Sequence, residues 1–325
     1  MGWRGSGPQA SRGADNREER GTLRVGTPNP PWWCLCTVGL QPGFQAQEAD
    51  ERRHESDHDL VDLLDMTPDR MLDLVGLPGG PLADATLWRL EVIEAGALTP
   101  TLHRVVLTAP GLDGLRYVPG QDLMLRVPQG GDRVVNRRYT IRSFDATRAA
   151  VIMDVSLHGA GPGTDWIRGA SIGDQIEAIG PRGKITWREN ADWHLFVGDE
   201  TGLPGALAMI EALPMTSRAT ALLEIDTPAD EQEPHSRQMP QSDLHWLHRS
   251  GRSVPGDASL IMEALADIAL PDGLGHAYVA AEARVVRSIQ RVLVERGLQQ
   301  DQISAKAYWR RGLPNAEHGE PAREE

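Results

Sequence analysis

The sequence predicts a β barrel followed by an α/β domain. Between residues 86 and 188, short strand-like runs are separated by Gly, Pro and Asp turns, which is typical of an all-β region. From residue 193 onward, strand-like runs alternate with stretches of helical periodicity, which is typical of a parallel sheet with helices on its faces. We therefore expect a six-stranded antiparallel barrel over residues 86–190 and a doubly wound layer over residues 191–312.

The barrel prediction depends on six runs at regular spacing. They are Trp88–Ala95, Leu102–Ala109, Asp122–Val127, Arg138–Ser143, Ala150–Leu157 and Asp174–Ile179. The one helical signal between them is Gly163–Gly169. Six strands separated by short turns favour a small closed barrel.

The second half predicts five strands and three helices. The strands are Leu195–Gly198, Ala219–Ile225, Leu244–His248, Ala277–Ala280 and Ile303–Tyr308, and the helices are Leu203–Leu213, Ser259–Ile268 and Arg284–Arg296. Ligands of such open sheets bind at the carboxyl ends of the strands. Residues that follow these strands are therefore candidates for a site.

The two ends of the chain carry different signals. Residues 1–56 and 313–325 are rich in charged and small residues without a sustained apolar period, so we expect them to be disordered. Residues 57–85 contain apolar positions at helical spacing and predict a short helical lead.

Composition excludes several classes of protein. The net charge of −13 argues against nucleic acid as a main partner, because phosphate binding needs a basic face. No run reaches the roughly 18 apolar residues that predict a membrane span. Cys34 and Cys36 are the only cysteines, so we expect no disulfide framework and a reducing cytoplasm.

The run Arg137-Arg138-Tyr139-Thr140-Ile141-Arg142 is the first candidate site. On a strand, alternate side chains share a face, so Arg137 and Tyr139 point the same way and Thr140 points the other way. A guanidinium beside an aromatic ring suits a ligand with a flat aromatic head and a phosphate tail. An exposed strand with a chance Arg/Tyr face is the alternative on this run alone.

A glycine-rich turn follows the next strand. It reads His158-Gly159-Ala160-Gly161-Pro162-Gly163-Thr164 and opens the predicted short helix. Glycine lets a backbone approach a ligand closely, and a helix N-terminus offers N–H groups to an anion. Thr164 adds a hydroxyl at the same place.

An ordered series of motifs resembles the siderophore-interacting protein family of FAD-dependent ferric-siderophore reductases. The matching pieces are Arg137-x-Tyr139-Thr140-Ile141-Arg142, His158-Gly159-x-Gly161-Pro162 with Trp166, Gly173-Asp174 leading to Gly180-Pro181-Arg182-Gly183, Gly198-Asp199-Glu200-Thr201-Gly202-Leu203-Pro204, and Tyr308-Trp309-Arg310-Arg311-Gly312. The series covers residues 86–312. It is far more specific than any one motif.

The resemblance implies an FAD site in the barrel. By this resemblance Arg137, Tyr139 and Thr140 hold the flavin, and Tyr139 and Thr140 lie next to the reacting ring. His158, Gly161, Gly163 and Thr164 are the residues assigned to the rest of the cofactor, with its pyrophosphate at the Gly161–Thr164 turn.

The same resemblance implies an NAD(P)H site in the α/β domain. Asp199, Glu200 and Thr201 would line the nicotinamide side of the flavin. His248, Arg249 and Arg252 follow the third strand, where an adenosine 2′-phosphate would lie, and this favours NADPH. Ala281 and Ala307 stand where the family usually has glycine, which leaves a ferredoxin as an alternative electron donor.

Four arginines are candidates for the substrate surface. Arg138, Arg142, Arg310 and Arg311 would form a basic mouth that attracts an anionic ferric siderophore. The alternative for Arg310 and Arg311 is that they are surface arginines in contact with solvent only. The proposed chemistry needs no metal ligand from the protein, and the zinc-protease pattern at residues 54–58 lacks the apolar face that would bury such a helix.

Two other functions stay open from the sequence. One is a general NAD(P)H:flavin or ferredoxin-type reductase on the same fold. The other is a non-enzymatic protein that binds iron complexes and has lost its cofactor.

Overall fold

The computed structural model describes residues 85–312 except 132, 158, 184 and 235–239, together with Gly2 and residues 75–76. The predicted extension 1–56, most of the helical lead 57–85, the tail 313–325 and the candidate His158 lie outside the described residues. Both sheets belong to one unit of the chain, residues 50–325. Among the described residues, no helix is long and apolar enough to cross a membrane.

The first half forms a seven-stranded antiparallel sheet. Its strands are β1 Thr86–Ala97, β2 Leu102–Thr108, β3 Asp122–Pro128, β4 Val134–Thr140, β5 Ser143–Asp145, β6 Ala150–Ser156 and β7 Gln175–Arg182. Their order across the sheet is β4-β3-β7-β1-β2-β6-β5. All six predicted strands are present, and the predicted strand Arg138–Ser143 is divided between β4 and β5.

The sheet curls because β4 and β5, at its two edges, are joined by only Ile141 and Arg142. The Ile141 N–H donates to the carbonyl of Gln121 at 2.9 Å, on the β3 side. The Arg142 N–H donates to the carbonyl of Ile152 at 2.9 Å, on the β6 side. These two residues therefore connect the two edges of the barrel, and its interior is filled by buried leucine, valine, isoleucine and methionine side chains.

Helix α1, Pro162–Gly169, follows β6 and packs on the barrel. It begins with Pro162, whose fixed φ suits a first helical position. Ile167 lies on its inner face and joins the barrel core. The turn before the helix needs glycine, since Gly159 and Gly161 have φ of 77° and 152°.

The second half forms a five-stranded parallel sheet of order β10-β9-β8-β11-β12. The strands are β8 Trp193–Gly198, β9 Arg218–Ile225, β10 Gln241–His248, β11 Gly275–Glu282 and β12 Ile303–Trp309, and the helices are α2 Leu203–Ala212, α3 Ser259–Asp267 and α4 Ala283–Glu295. Every residue of β8 is buried, as expected for a central parallel strand. The predicted barrel and doubly wound layer are both confirmed, although the curled antiparallel sheet has seven strands where six were predicted.

From Leu203 to Ile210, helix α2 carries no polar side chain, and all of these residues are buried. A helix with no polar face is covered on every side. One face of α2 packs on the parallel sheet, while Gly205 and Glu211 contact barrel residues. This helix therefore positions the carboxyl end of β8 against the barrel.

Candidate functional site

The Arg/Tyr strand and the glycine turn lie against each other. A β-carbon at Gly163 would collide with the hydroxyl of Tyr139 and would lie 3.1 Å from Cγ of Arg137. Burial raises the pKa of Tyr139 to about 12, so its hydroxyl stays protonated at neutral pH. We call this arrangement of Arg137, Tyr139 and the turn Gly161–Thr164 the β4–α1 site.

The N-terminus of α1 gives the β4–α1 site its electrostatic character. Gly161 occupies the N-cap position and has no side chain, so no side-chain hydrogen bond caps the helix. The backbone N–H groups of the first turn and the positive end of the helix dipole favour an anion there. A phosphate group is the kind of ligand that this end suits.

Thr140 lies on the other face of β4, toward the α/β layer. Its side-chain oxygen is 3.4 Å from the hydroxyl oxygen of Tyr308 on β12. A β-carbon at Gly205 of α2 would lie 3.4 Å from the Thr140 methyl carbon. Burial raises the pKa of Tyr308, so both hydroxyls are neutral donors at this junction.

The junction between barrel and α/β layer is lined by glycine. A cavity of about 20 Å³ lies there, with Gly120, Gly198, Gly202, Gly205 and Tyr308 among its lining residues. A β-carbon at Gly202 would collide with the carbonyl oxygen of Ala280. Side chains are therefore excluded where the carboxyl ends of β8 and β11 approach the barrel.

A cluster of cations surrounds Asp122 at the same junction. Arg138 donates to Asp122 from Nε at 2.9 Å and from Nη2 at 2.5 Å, and Nζ of Lys306 is 3.6 Å from Oδ2. Burial alone would raise the pKa of Asp122, but Arg138 and Lys306 hold it below its ordinary value. Burial and Arg138 lower the pKa of Arg182 to about 10. Three cations thus share one carboxylate.

Sequence reasoning placed Arg138 at a substrate mouth and did not connect it with Asp122, Arg182 or Lys306. Lys306 is one of only two lysines in the chain, and its position inside a strand next to Tyr308 is a signal that was available. Asp122 and Arg182 lie on β3 and β7, which are brought beside each other by the sheet pairing.

Arg142 does not lie at a surface. It is 1% exposed, and its guanidinium donates two hydrogen bonds to Glu211 of α2, at 2.8 and 2.6 Å. Its Nε is also 3.9 Å from Asp154. The position assigned to Arg142 at a substrate mouth is therefore corrected, because its charge is used to join the barrel to α2.

Asp199 organises the carboxyl edge of the parallel sheet. Its Oδ1 accepts hydrogen bonds from the N–H and hydroxyl of Thr201, and its Oδ2 accepts from Nε1 of Trp309 at 2.8 Å and from the N–H of Glu282 at 3.1 Å. The carboxylate is 3% exposed. It therefore fixes the loop after β8 and the ends of β11 and β12.

Glu200 forms a buried ion-pair cluster with Arg249 and Glu224. Arg249 donates to both oxygens of Glu200 at 2.8 and 2.9 Å and to Glu224 at 3.0 Å. The exposed fractions of the three side chains are 4% or less. Of the residues proposed for a 2′-phosphate, Arg249 is thus enclosed, whereas Arg252 is exposed and donates to the carbonyl of His248 at 2.7 Å.

Arg310 and Arg311 follow β12 and are both exposed. The backbone N–H of Arg311 donates to Glu282 at 3.1 Å, which fixes the start of this segment at the carboxyl edge of the sheet. Their side chains remain candidates for contact with a charged ligand.

An antiparallel barrel whose Arg/Tyr strand contacts a glycine-opened helix, followed by a parallel sheet with its carboxyl edge at the barrel, defines a ferredoxin-reductase-like flavoprotein. Residues 119–185 match the family model described as the siderophore-interacting FAD-binding domain, and residues 191–312 match the siderophore-interacting protein model. The chain belongs to the siderophore-interacting protein family.

Relatives and solved structures agree with this assignment. Ferric vibriobactin reductase ViuB of Vibrio cholerae is 30% identical, over 69% of this chain and 89% of the relative. The NADPH-dependent ferric-chelate reductase of Escherichia coli is 25% identical, over 70% of this chain and 92% of the relative. A crystal structure of a siderophore utilization protein from T. fusca has a TM-score of 0.64 and 32% identity, and covers 72% of this chain and 96% of its own.

More distant structures show the fold alone. Ferredoxin-NADP+ reductase from Plasmodium falciparum superposes with a TM-score of 0.56 at 12% identity, over 68% of this chain and 96% of its own. The barrel and α/β arrangement is therefore shared well beyond the family.

Proposed function

We propose that this chain is an FAD-dependent ferric-siderophore reductase that passes electrons from NAD(P)H through the flavin to Fe(III) and so releases iron. The observation that carries the proposal is the β4–α1 site, in which Arg137 and Tyr139 pack against a glycine at an uncapped helix N-terminus. The family match and the reductase relatives support the same reaction.

The residues present fit FAD. The first turn of α1 offers backbone donors and the positive end of a helix to a pyrophosphate, and the missing side chain at Gly163 lets Tyr139 and Arg137 lie directly against this turn. Arg137 supplies a guanidinium and Tyr139 an aromatic ring on the same side of β4. We assign the cofactor to Arg137, Tyr139, Thr140, Gly161, Gly163 and Thr164, with His158 as a further candidate from the resemblance.

Bound FAD supplies the conversion between two-electron chemistry with the nicotinamide and one-electron chemistry with iron. Thr140 and Tyr308 place two neutral hydroxyls at the junction of the two domains, where they can donate to a ring edge. The buried surface of α2 excludes water behind them. These groups orient the reactants, and none of them needs to form a covalent bond.

The carboxyl edge of the parallel sheet is the proposed NAD(P)H side. Asp199 holds the loop after β8 in one conformation, and Thr201 begins the turn into α2. Glu200 is paired with Arg249, so it shapes this edge and does not present a free charge. A ferredoxin would be an alternative donor if neither nicotinamide reduces the protein.

The substrate surface is proposed to lie beside the Asp122 cluster. Arg138 remains a candidate because its side chain is 26% exposed, and Lys306 and Arg182 add positive charge around it. Arg310 and Arg311 extend the same basic character into solvent. A ferric catecholate or hydroxamate complex with net negative charge suits this surface, and ferrous iron leaves hard oxygen ligands more readily than ferric iron.

The two sheets also suggest where the domains begin and end. We propose an FAD-binding domain over residues 86–190 and an NAD(P)H-binding domain over 191–312, since the two sheets fall on either side of residue 190. Consumption of NAD(P)H and the presence of only two cysteines support a cytoplasmic location.

The test is iron release from a purified ferric siderophore under anaerobic conditions, with a chromophoric Fe(II) trap and NADH or NADPH as donor. We expect Fe(II) to appear only when chain, FAD and donor are all present. Rapid reduction of free flavin without iron release would instead indicate a general flavin reductase. Protein that takes up no FAD would indicate a non-enzymatic binding protein.

A further inference from the structure

The arginine best suited by its sequence position to an adenosine 2′-phosphate is not available for it. Arg249, directly after β10, is 2% exposed and donates to Glu200 and Glu224. Turning this guanidinium outward would leave two buried carboxylates without their cation, which is strongly unfavourable. Arg249 is therefore part of the interior of the domain.

A charged group that is exposed at the carboxyl edge of the parallel sheet is the carboxylate of Asp226. Asp226 directly follows β9, the second strand of the parallel sheet, and its side chain is 49% exposed. Its Oδ1 lies 3.7 Å from Nε of Arg249. The neighbouring turn is fixed, because buried Asp230 accepts hydrogen bonds from Thr227 and from Thr101 of the barrel. Asp226 thus has a defined place at the carboxyl edge.

The other charges at this edge do not reverse its sign. Glu231 is paired with His248, whose Nε2 lies 2.8 Å from Oε1 of Glu231. Arg252 is the exposed guanidinium in the described segment 240–257, and it donates to the carbonyl of His248. Among the side chains that the structure describes here, the carboxylates of Asp226 and Glu231 face solvent against the one exposed guanidinium of Arg252, so these charged groups are net negative.

We infer that this edge selects NADH over NADPH and that Asp226 is the specificity-determining residue. A carboxylate after the second strand can accept hydrogen bonds from the adenosine ribose hydroxyls, as it does in open dinucleotide-binding sheets. A 2′-phosphate would add roughly two negative charges beside it. The inference rests on the proposed function, because it assumes that a nicotinamide dinucleotide binds at this edge.

The experiment compares two adenosine probes that carry no nicotinamide and need no electron transfer. The affinities of 5′-AMP and 2′,5′-ADP, which differ only in the 2′-phosphate, are measured for the FAD-loaded chain by isothermal calorimetry at low salt. We expect 5′-AMP to bind tighter by about tenfold or more, since like charges placed together are disfavoured. Asp226→Asn should reduce this difference by strengthening the binding of 2′,5′-ADP.

Asp301→Asn is the matched control. Asp301 is an exposed aspartate just before β12, at the amino edge of the same sheet, so the change in charge is identical and the position is wrong for the ligand. We expect it to leave the ratio of the two affinities unchanged. An equal shift in Asp301→Asn would show a general charge effect and would overturn the role of Asp226.

Two further results would overturn the inference in different ways. Tighter binding of 2′,5′-ADP, with the preference lost in Arg252→Ala, would assign a phosphate site to Arg252 and leave the reductase function intact. Binding of neither probe, together with no reduction of the flavin by either nicotinamide, would overturn the NAD(P)H part of the proposed function as well.

Discussion

Two helix N-termini in this molecule face the sites and differ in how they are capped. Helix α1 begins after Gly161 and has no side-chain cap, whereas α4 begins after Glu282, whose carboxylate accepts from the N–H groups of Arg284 and Val285. The carboxylate of Glu282 occupies the place that a phosphate would take. The difference indicates that α1 offers its N-terminus to a ligand, whereas the N-terminus of α4 is already satisfied by Glu282.

The same contrast holds for the charged side chains. At the α/β edge the charged side chains are buried and paired within the protein. Arg249 donates to Glu200, and Asp199 accepts from the N–H of Glu282, so these groups set the shape of that edge. In the β4–α1 site the shape is set by the lack of a side chain at Gly163. Substitutions of the buried charged residues at the α/β edge should therefore act mainly on stability. Substitutions in the β4–α1 site should act mainly on ligand binding.

The largest expected effect is Arg249→Met. It leaves Glu200 and Glu224 buried without their cation, and removing one partner of such a pair costs about 3–5 kcal/mol in the free energy of unfolding. Chemical denaturation monitored by circular dichroism measures this. Arg252→Met, at an exposed arginine nearby, should change stability by less than about 0.5 kcal/mol. Equal stability of the two variants would contradict the buried cluster.

Gly163→Ala should act on binding instead. The added β-carbon meets the Tyr139 hydroxyl and the Arg137 side chain, so these two side chains must shift from their places against the turn. We expect FAD to bind more weakly by about tenfold or more, which is about 1.4 kcal/mol. Gly169→Ala, at the other end of the same helix with open space around it, serves as the control. Flavin fluorescence titration distinguishes the two, and unchanged affinity in Gly163→Ala would exclude the cofactor from this site.

Glu224→Gln should change how stability depends on pH. Burial raises the pKa of Glu224 from 4.5 to about 7, with Arg249 opposing the shift. The folded state then binds a proton that the unfolded state has lost, so the free energy of unfolding falls as pH rises from about 4.5 to about 7. Burial also raises the pKa of Glu200, which adds a contribution of the same sign.

With glutamine at position 224, the decrease across this pH range should become shallower. Glu263→Gln on the exposed face of α3 should leave it unchanged. Denaturation curves at pH 5, 6, 7 and 8 provide the comparison. An identical slope in wild type and Glu224→Gln would show that Glu224 does not titrate in this range.

Local pattern was sufficient for much of the fold. Alternation and turn residues predicted six of the seven strands of the barrel, and the period change after residue 190 predicted the parallel layer. The division of Arg138–Ser143 was missed, because the bend at Ile141 and Arg142 arises from hydrogen bonds to Gln121 and Ile152 on opposite edges of the barrel.

Ion pairs between residues far apart in the sequence could not be predicted. Strand alternation could place Arg142 on a face, but its partner Glu211 lies 69 residues away. Arg249 likewise follows a strand as a phosphate-binding arginine would, but Glu200 and Glu224 lie 49 and 25 residues before it. Both arginines were expected at ligands because the carboxylates that bury them are not visible in local sequence.

The central claim is that one protein-bound flavin receives electrons at the α/β edge and delivers them to a ferric siderophore. The direct measurement is anaerobic reduction of the FAD-loaded chain by NADH, followed by titration with ferric siderophore while the flavin absorbance is recorded. We predict reduction by the nicotinamide and then reoxidation by about two Fe(III) per flavin, as one-electron transfers to iron require. Flavin that stays reduced in the presence of excess ferric siderophore would contradict the account.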